Sequence, residues 1–218
     1  MPTRVKICGL TRLEDAQRAV ELGAAALGFN FYPHSPRCIE PAAARAIVSR
    51  LPPFVTAVGV FANETDADHV ISVARQAGVT AVQMHGPGFP ALQELASAFT
   101  LVVAVAVREG FKVEELRSFN PSAYLLDAFD PGRLGGTGKT FDWNIAREVS
   151  QYGPIILAGG LTPENVGRAV REVRPFAVDV ASGVESAPGI KDPAKLRAFF
   201  AAVTEADSKL LDKLFNRL

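Results

Sequence analysis

The chain has almost no cysteine, no net charge and no long apolar run, and each shortage closes off a class of protein. Cys8 and Cys38 are the only cysteines in 218 residues, too few for a disulfide scaffold or a cysteine zinc site. The three histidines, His34, His69 and His85, are too scattered to form a metal site. Lys plus Arg and Asp plus Glu number 23 each. No basic or acidic field therefore exists to hold nucleic acid or a membrane surface, and an anionic ligand must be gripped by local geometry. No apolar run approaches the roughly 20 residues of a membrane span. Met1-Pro2-Thr3-Arg4-Val5 enters a strand-like run without a signal-peptide pattern. The expectation is a reduced, cytoplasmic protein.

What is present is an ordinary globular composition, 48% hydrophobic and 21% charged, enough for a sizeable core. Short apolar runs alternate with longer amphipathic segments along the whole chain. Strands are predicted at Val5–Ile7, Ala25–Phe31, Phe54–Phe61, Ala81–Met84, Leu101–Val107, Ala123–Leu126, Ile155–Ala158 and Phe176–Val180. Helices are predicted between them, the first opened by a capping box of Thr11 with Glu14. Asn63 is read as the cap of the third and Gly78 as its stop; Val113 to Phe119 is read as a short helix. Thr162-Pro163 and Asp192-Pro193 are cap-then-proline starts of the last two.

The strands are too continuously apolar to face water on either side, so parallel strands covered by helices are expected. About eight such units predict one (β/α)8 TIM barrel, with a doubly wound open sheet as the alternative. The barrel is expected over residues 1–205. Residues 206–218 form a tail in which Leu210, Leu211, Leu214, Phe215 and Leu218 recur at helical spacing. That tail is read as an amphipathic helix docking on the barrel or on a second subunit.

The stretch from Ile155 to Glu185 organises the function. Two strands in succession end in tiny-residue turns, Gly159-Gly160 and Ser182-Gly183. Glycines let backbone N–H groups approach an anion, and the helix N-terminus that follows the first turn adds a positive dipole. One such turn is read as a tight βα connection; two together predict a phosphate grip.

The other strand ends supply candidates, because chemistry on a barrel lies where strands meet the following loops. Cys8 is either a small buried hydrophobe or a thiol facing the pocket. Lys6, two residues back and ~7 Å away on the same strand face, either stabilises a thiolate or pairs with a barrel carboxylate. Asp127 is a loop cap or a catalytic acid. Arg37, in a proline-stiffened loop, is an exposed arginine or a grip for a carboxylate. Gln83 and His85 end the fourth strand, and Asp179 lies in the eighth. A thiol and a carboxyl across a barrel mouth can serve as general base and general acid.

Gly132 to Thr140, GRLGGTGKT, superficially suggests a nucleotide P-loop. That motif needs four residues between its first glycine and Gly-Lys-Thr, whereas this run places arginine, Arg133, at the required position. A mobile active-site flap is the better expectation for the long loop after Asp127.

These residues together resemble the phosphoribosylanthranilate isomerase family. The resemblance rests on Lys6-Ile7-Cys8-Gly9, Ser35-Pro36-Arg37, Val82-Gln83-Met84-His85-Gly86 and Leu126-Asp127. Gly159-Gly160-Leu161-Thr162-Pro163 and Ser182-Gly183-Val184-Glu185 carry it through the last third, and it spans about residues 4 to 205 in order. It implies a tryptophan-pathway enzyme without cofactor or metal, monomeric or homodimeric, that performs an Amadori rearrangement. By the same resemblance Asp127 is the general acid and Cys8 the general base. Arg37 would hold the anthranilate carboxylate and Asp179 a ribose hydroxyl, with Gln83 and His85 also binding substrate. Gly159, Gly160, Ser182 and Gly183 would bind phosphate. The chain departs from the family pattern at Cys38, where tyrosine is expected, at Ala181, where serine is frequent, and at Met84, where leucine is frequent.

Two other functions fit the same residues less well. A related isomerase of histidine synthesis works with aspartates after strands one and five, which here end in Cys8 and in Val107-Arg108. A non-catalytic sugar-phosphate binder would have no use for Cys8 and Asp127 at opposed strand ends.

Overall fold

The computed structural model describes residues 1–86, 89, 91–107, 111–118, 120–128 and 143–215. Eight parallel strands close into a barrel, β1 (Arg4–Ile7), β2 (Ala26–Asn30), β3 (Thr56–Ala62), β4 (Ala81–His85), β5 (Thr100–Val107), β6 (Ala123–Ala128), β7 (Ile155–Leu157) and β8 (Ala177–Val180). Among the described residues seven α-helices accompany them: α1 (Leu13–Glu21), α2 (Pro41–Val48), α3 (Ala67–Ala77), α4 (Leu92–Ala98), α5 (Trp143–Val149), α6 (Pro163–Val173) and α7 (Pro193–Phe215). The predicted TIM barrel is the observed architecture.

The strand period of two sorts the core into layers. Val5, Ile7, Leu27, Phe29, Val82, Met84, Leu126 and Val178 point outward into one large cluster shared with the helices. The alternate positions Val102, Ala104, Ala123, Leu125, Ile156, Ala158 and Ala177 point inward and form a second, smaller cluster. Toward the carboxyl ends the inward positions turn polar, and that change prepares the site.

The local signals divide instructively. Gly78 ends α3 in the left-handed conformation at φ 72°, and Asp192 accepts from the N–H groups of Ala194 and Lys195 at 2.8 and 3.0 Å to open α7. The cap of α3, however, is Asp66, which accepts from Asp68 and His69. Asn63 instead donates its N–H to the His85 carbonyl at 2.9 Å and adopts φ 56°. At α1 no side chain caps the helix, because the Thr11 hydroxyl is used over long range, donating to the Gly189 carbonyl at 2.7 Å. The short helix read over Val113 to Phe119 is a 3-10 helix over Val113–Ser118, the tighter form that short segments adopt.

Between β8 and α7 lies an unpredicted hairpin, β9 (Glu185–Ala187) and β10 (Ile190–Lys191), paired antiparallel. The Pro188-Gly189 dipeptide at its tip is a turn signal that could have revealed it. α7 runs unbroken through residues 205 and 206 to Phe215, with Leu210 packed on the core and Leu211 exposed. Most of the long loop, residues 129–142, read above as a flap, lies outside the described residues.

Candidate active site

A cavity opens at the carboxyl ends of the strands, lined by Cys8, Arg37, Gln83, His85, Asp127 and Asp179 together with Gly159, Gly160 and Ser182. Of the ten sequence-predicted site residues, nine therefore meet in one hollow. Gly183 is absent from the lining and lies against the Leu161 carbonyl.

The phosphate-grip residues are organised as their composition requires. Gly159 and Gly160 follow β7 at φ 80° and 61°, conformations that cost a residue with a Cβ roughly 1–2 kcal/mol. The turn feeds α6, where the Thr162 N–H donates to Asn165 Oδ1 and Asn165 Nδ2 to the Gly160 carbonyl, both at 2.8 Å. Asn165 thus holds the glycine turn against the helix it precedes. A Cβ on Gly183 would stand 1.9 Å from the Leu161 carbonyl oxygen, so glycine there lets the turns after β7 and β8 touch. The two glycine turns form one cradle beside a helix N-terminus, a geometry suited to an anion.

Next to this cradle, where β8 meets β1, the barrel mouth is made of charge. Lys6 Nζ donates to Asp179 Oδ1 at 2.8 Å, and the two residues are register partners on β1 and β8. Both are buried. Burial pulls the Lys6 ammonium down, but Asp179 and Cys8 more than offset it and leave its pKa above 10.5. Lys6 pairs with the Asp179 carboxylate, and its charge also acts on the Cys8 thiol. Burial pushes the Cys8 thiol above its ordinary 9.0, against the pull of Lys6 and Lys191. Cys8 and Cys38 are both free thiols.

Arg37 is held by a residue that the sequence reading missed. Its Nε and Nη2 donate to Glu185 Oε1 and Oε2 at 2.9 and 2.7 Å, a forked charge-assisted pair. Glu185 in turn accepts from Lys191 Nζ at 2.8 Å. Both newcomers belong to the β9–β10 hairpin, and their pairing with a residue 148 positions away has no signature in local spacing.

On β4, Gln83 Nε2 lies against His85 Nε2 at 2.5 Å. Burial and the nearby Lys6 charge lower the His85 pKa to about 4, which keeps the ring neutral. Gln83 Oε1 is buried with no partner among the described residues. A buried acceptor beside a cavity is suited to a ligand hydroxyl. Asp127, near the end of β6, is separated from the Cys8 strand by β7 and β8 and faces the same hollow. Among the described residues no group of three His, Cys, Asp or Glu could hold a metal.

A parallel barrel with an anion cradle after β7 and β8, flanked by a thiol after β1 and a carboxyl on β6, defines an enzyme of the (β/α)8 class shaped for a phosphorylated substrate. The chain belongs to the N-(5′-phosphoribosyl)anthranilate (PRA) isomerase family, whose model matches residues 5–202. It is 50% identical to the N-(5′-phosphoribosyl)anthranilate isomerase of Citrifermentans bemidjiense over 199 residues, covering 91% of this chain and 96% of that protein. The phosphoribosyl anthranilate isomerase structure from Thermotoga maritima superimposes with a TM-score of 0.86 at 43% identity, covering 93% and 99% of the two chains. Another solved relative, 41% identical with a TM-score of 0.82 and the same coverage, is a complex with reduced 1-(o-carboxyphenylamino)-1-deoxyribulose 5-phosphate. A further Thermotoga maritima structure, 40% identical with a TM-score of 0.82 and the same coverage, is of monomers generated from the dimeric enzyme. The family's activity is an aldose–ketose isomerisation in tryptophan biosynthesis.

Proposed function

We propose that this chain converts N-(5′-phosphoribosyl)anthranilate to 1-(2-carboxyphenylamino)-1-deoxyribulose 5-phosphate, with Asp127 as acid and Cys8 as base. The observation that carries the assignment is the shared cavity: Cys8 and Asp127 enter it from non-adjacent strands, with the glycine cradle on the strands between. With the phosphate on Gly159, Gly160 and Ser182, the sugar carbons lie between the two groups. The protonated Asp127 carboxyl gives its proton to the furanose ring oxygen. The C1′–O4′ bond breaks and the anthranilate nitrogen lone pair forms the iminium. The C2′ proton, now acidic, passes to the Cys8 thiolate, and its electron pair makes the enolamine, which tautomerises to the ketone.

The raised pKa of Cys8 fits that order of events. In the empty site the thiol holds its proton; that proton leaves to solvent as the substrate binds, and the iminium cation, together with Lys6, stabilises the thiolate that then takes the C2′ proton. Alkylation of Cys8 by iodoacetamide in a Cys38→Ala background is expected to reach half-maximal rate above pH 9.0. Arg37 holds the anthranilate carboxylate. Gln83 Oε1 and Asp179 take ribose hydroxyls, and His85 orients Gln83. The reaction is followed by loss of the substrate's anthranilate fluorescence. Cys8→Ser and Asp127→Asn should each lose about 10²–10⁴ in kcat, and activity left intact by both substitutions would sink the mechanism.

The second subunit is another copy of this chain, docked on the far end of the barrel. Phe54 is fully exposed at φ 74°, an unfavourable state for a bulky apolar side chain in water. A hollow of Met1, Pro2, Arg4 and Phe176 opens on that same amino-terminal end. Sedimentation should show a dimer that Phe54→Ser converts to monomer; a monomeric parent chain would refute it.

A further inference from the structure

Glu185 and Lys191 do not line the cavity, yet both are buried and charged. Lys191 Nζ is wholly enclosed and donates to Glu185 Oε1 at 2.8 Å, the Cys8 carbonyl at 2.6 Å and the Ala181 carbonyl at 3.2 Å. An ammonium taken this far from water costs several kcal/mol of desolvation, so its retention asks for a reason beyond joining a hairpin to a strand. The reason lies in the charge count around Arg37. Glu185 already occupies one edge of the guanidinium through Nε and Nη2. Arg37 with Glu185 alone would be a neutral pair, and a second carboxylate arriving there would meet Glu185 as a like charge. Lys191 restores one net positive charge to the trio. Nearby, Lys6 and Asp179 already neutralise each other.

We propose that Lys191 is a positioning residue for the carboxylate end of the substrate: it never touches the ligand but sets the charge that lets Glu185 orient Arg37 without repelling the incoming carboxylate. Gly9 completes the device. It sits at φ 72°, and a Cβ there would stand 2.4 Å from Arg37 Cδ, so glycine lets the arginine lie across the end of β1. One ammonium thereby ties the carboxylate grip to the backbone of the proposed base and to the residue before Ser182. The inference rests on Arg37 being the carboxylate grip.

The test uses two probes, the reduced product analogue 1-(o-carboxyphenylamino)-1-deoxyribulose 5-phosphate and the same compound built on aniline, without the carboxylate. The quantity read is the ratio of their Kd values. Lys191→Met should lower this selectivity about tenfold or more, while Lys191→Arg keeps it. Glu185→Gln combined with Lys191→Met returns the net charge to that of Arg37 alone and should recover selectivity relative to the single variant. A merely structural lysine predicts equal weakening of both probes and a double variant worse than the single. Either of those results overturns the role. Arg37→Ala separates the two levels of the argument. Selectivity lost there but kept in Lys191→Met refutes the role of Lys191 alone; selectivity kept in Arg37→Ala removes the grip and this role with it.

Discussion

The two rims of the barrel mouth are built from opposite materials. The β7–β8 rim is backbone: two glycine turns, a helix start and the hydrogen bonds of Asn165. The rim of β1, the Arg37 loop and the β9–β10 hairpin is side-chain charge: Lys6 with Asp179, and Arg37 with Glu185 and Lys191. The difference suits the two ends of the substrate. A phosphate at a fixed position is served by N–H groups that need no tuning. A carboxylate and a migrating proton need groups whose charge is set by neighbours.

Breaking the charged rim should cost most. Lys6→Met leaves Asp179 buried without its cation, and loss of one partner of a buried pair costs about 3–5 kcal/mol. Urea unfolding should show that loss, with Lys6→Met plus Asp179→Asn recovering part of it. Equal stability of Lys6→Met and the parent would show that the pair is dispensable. The backbone rim should break more gently and by a different route. Gly183→Ala drives a methyl into the Leu161 carbonyl and should cost about 1–3 kcal/mol by overpacking, read as a lower Tm together with weaker inorganic phosphate binding. An unchanged phosphate affinity would uncouple the two turns.

The smallest effect sharpens the contrast by pH. Folded His85 stays neutral down to about pH 4, whereas the unfolded chain takes up that proton near 6.5. Between these values the unfolded state binds more protons, so stability falls as the pH falls through this window. Denaturation midpoints at pH 7 and pH 5 should lie closer together in His85→Gln than in the parent. An identical spacing in the two proteins would place the ring outside the buried rim.

The same contrast explains what could be read before the structure. Gly159-Gly160, Thr162-Pro163 and Ser182-Gly183 announce the backbone rim because turn and cap chemistry acts over a few residues. Strand order followed from the alternation of apolar runs, and Cys8 and Asp127 were found by counting to strand ends. Arg37, Asp179 and Lys6 were legible, but which residues pair was not, because the bonds span 148 residues between Arg37 and Glu185 and 173 between Lys6 and Asp179. Glu185 had entered the reading only as the last letter of the Ser182-Gly183-Val184-Glu185 run. The caps misread at Thr11 and Asn63 failed for the same reason: each is committed to a distant strand or hairpin rather than to its own helix.

On this division of work the turns after β7 and β8 hold the phosphate with backbone, and the side chains flanking them, Cys8 and Asp127, perform the proton transfer. Calorimetric titration of inorganic phosphate into the parent and into the Cys8→Ser, Asp127→Asn double variant tests it most directly. The account predicts phosphate affinities within about twofold of each other while turnover of the double variant falls by about 10³ or more. Phosphate binding lost along with turnover would contradict it.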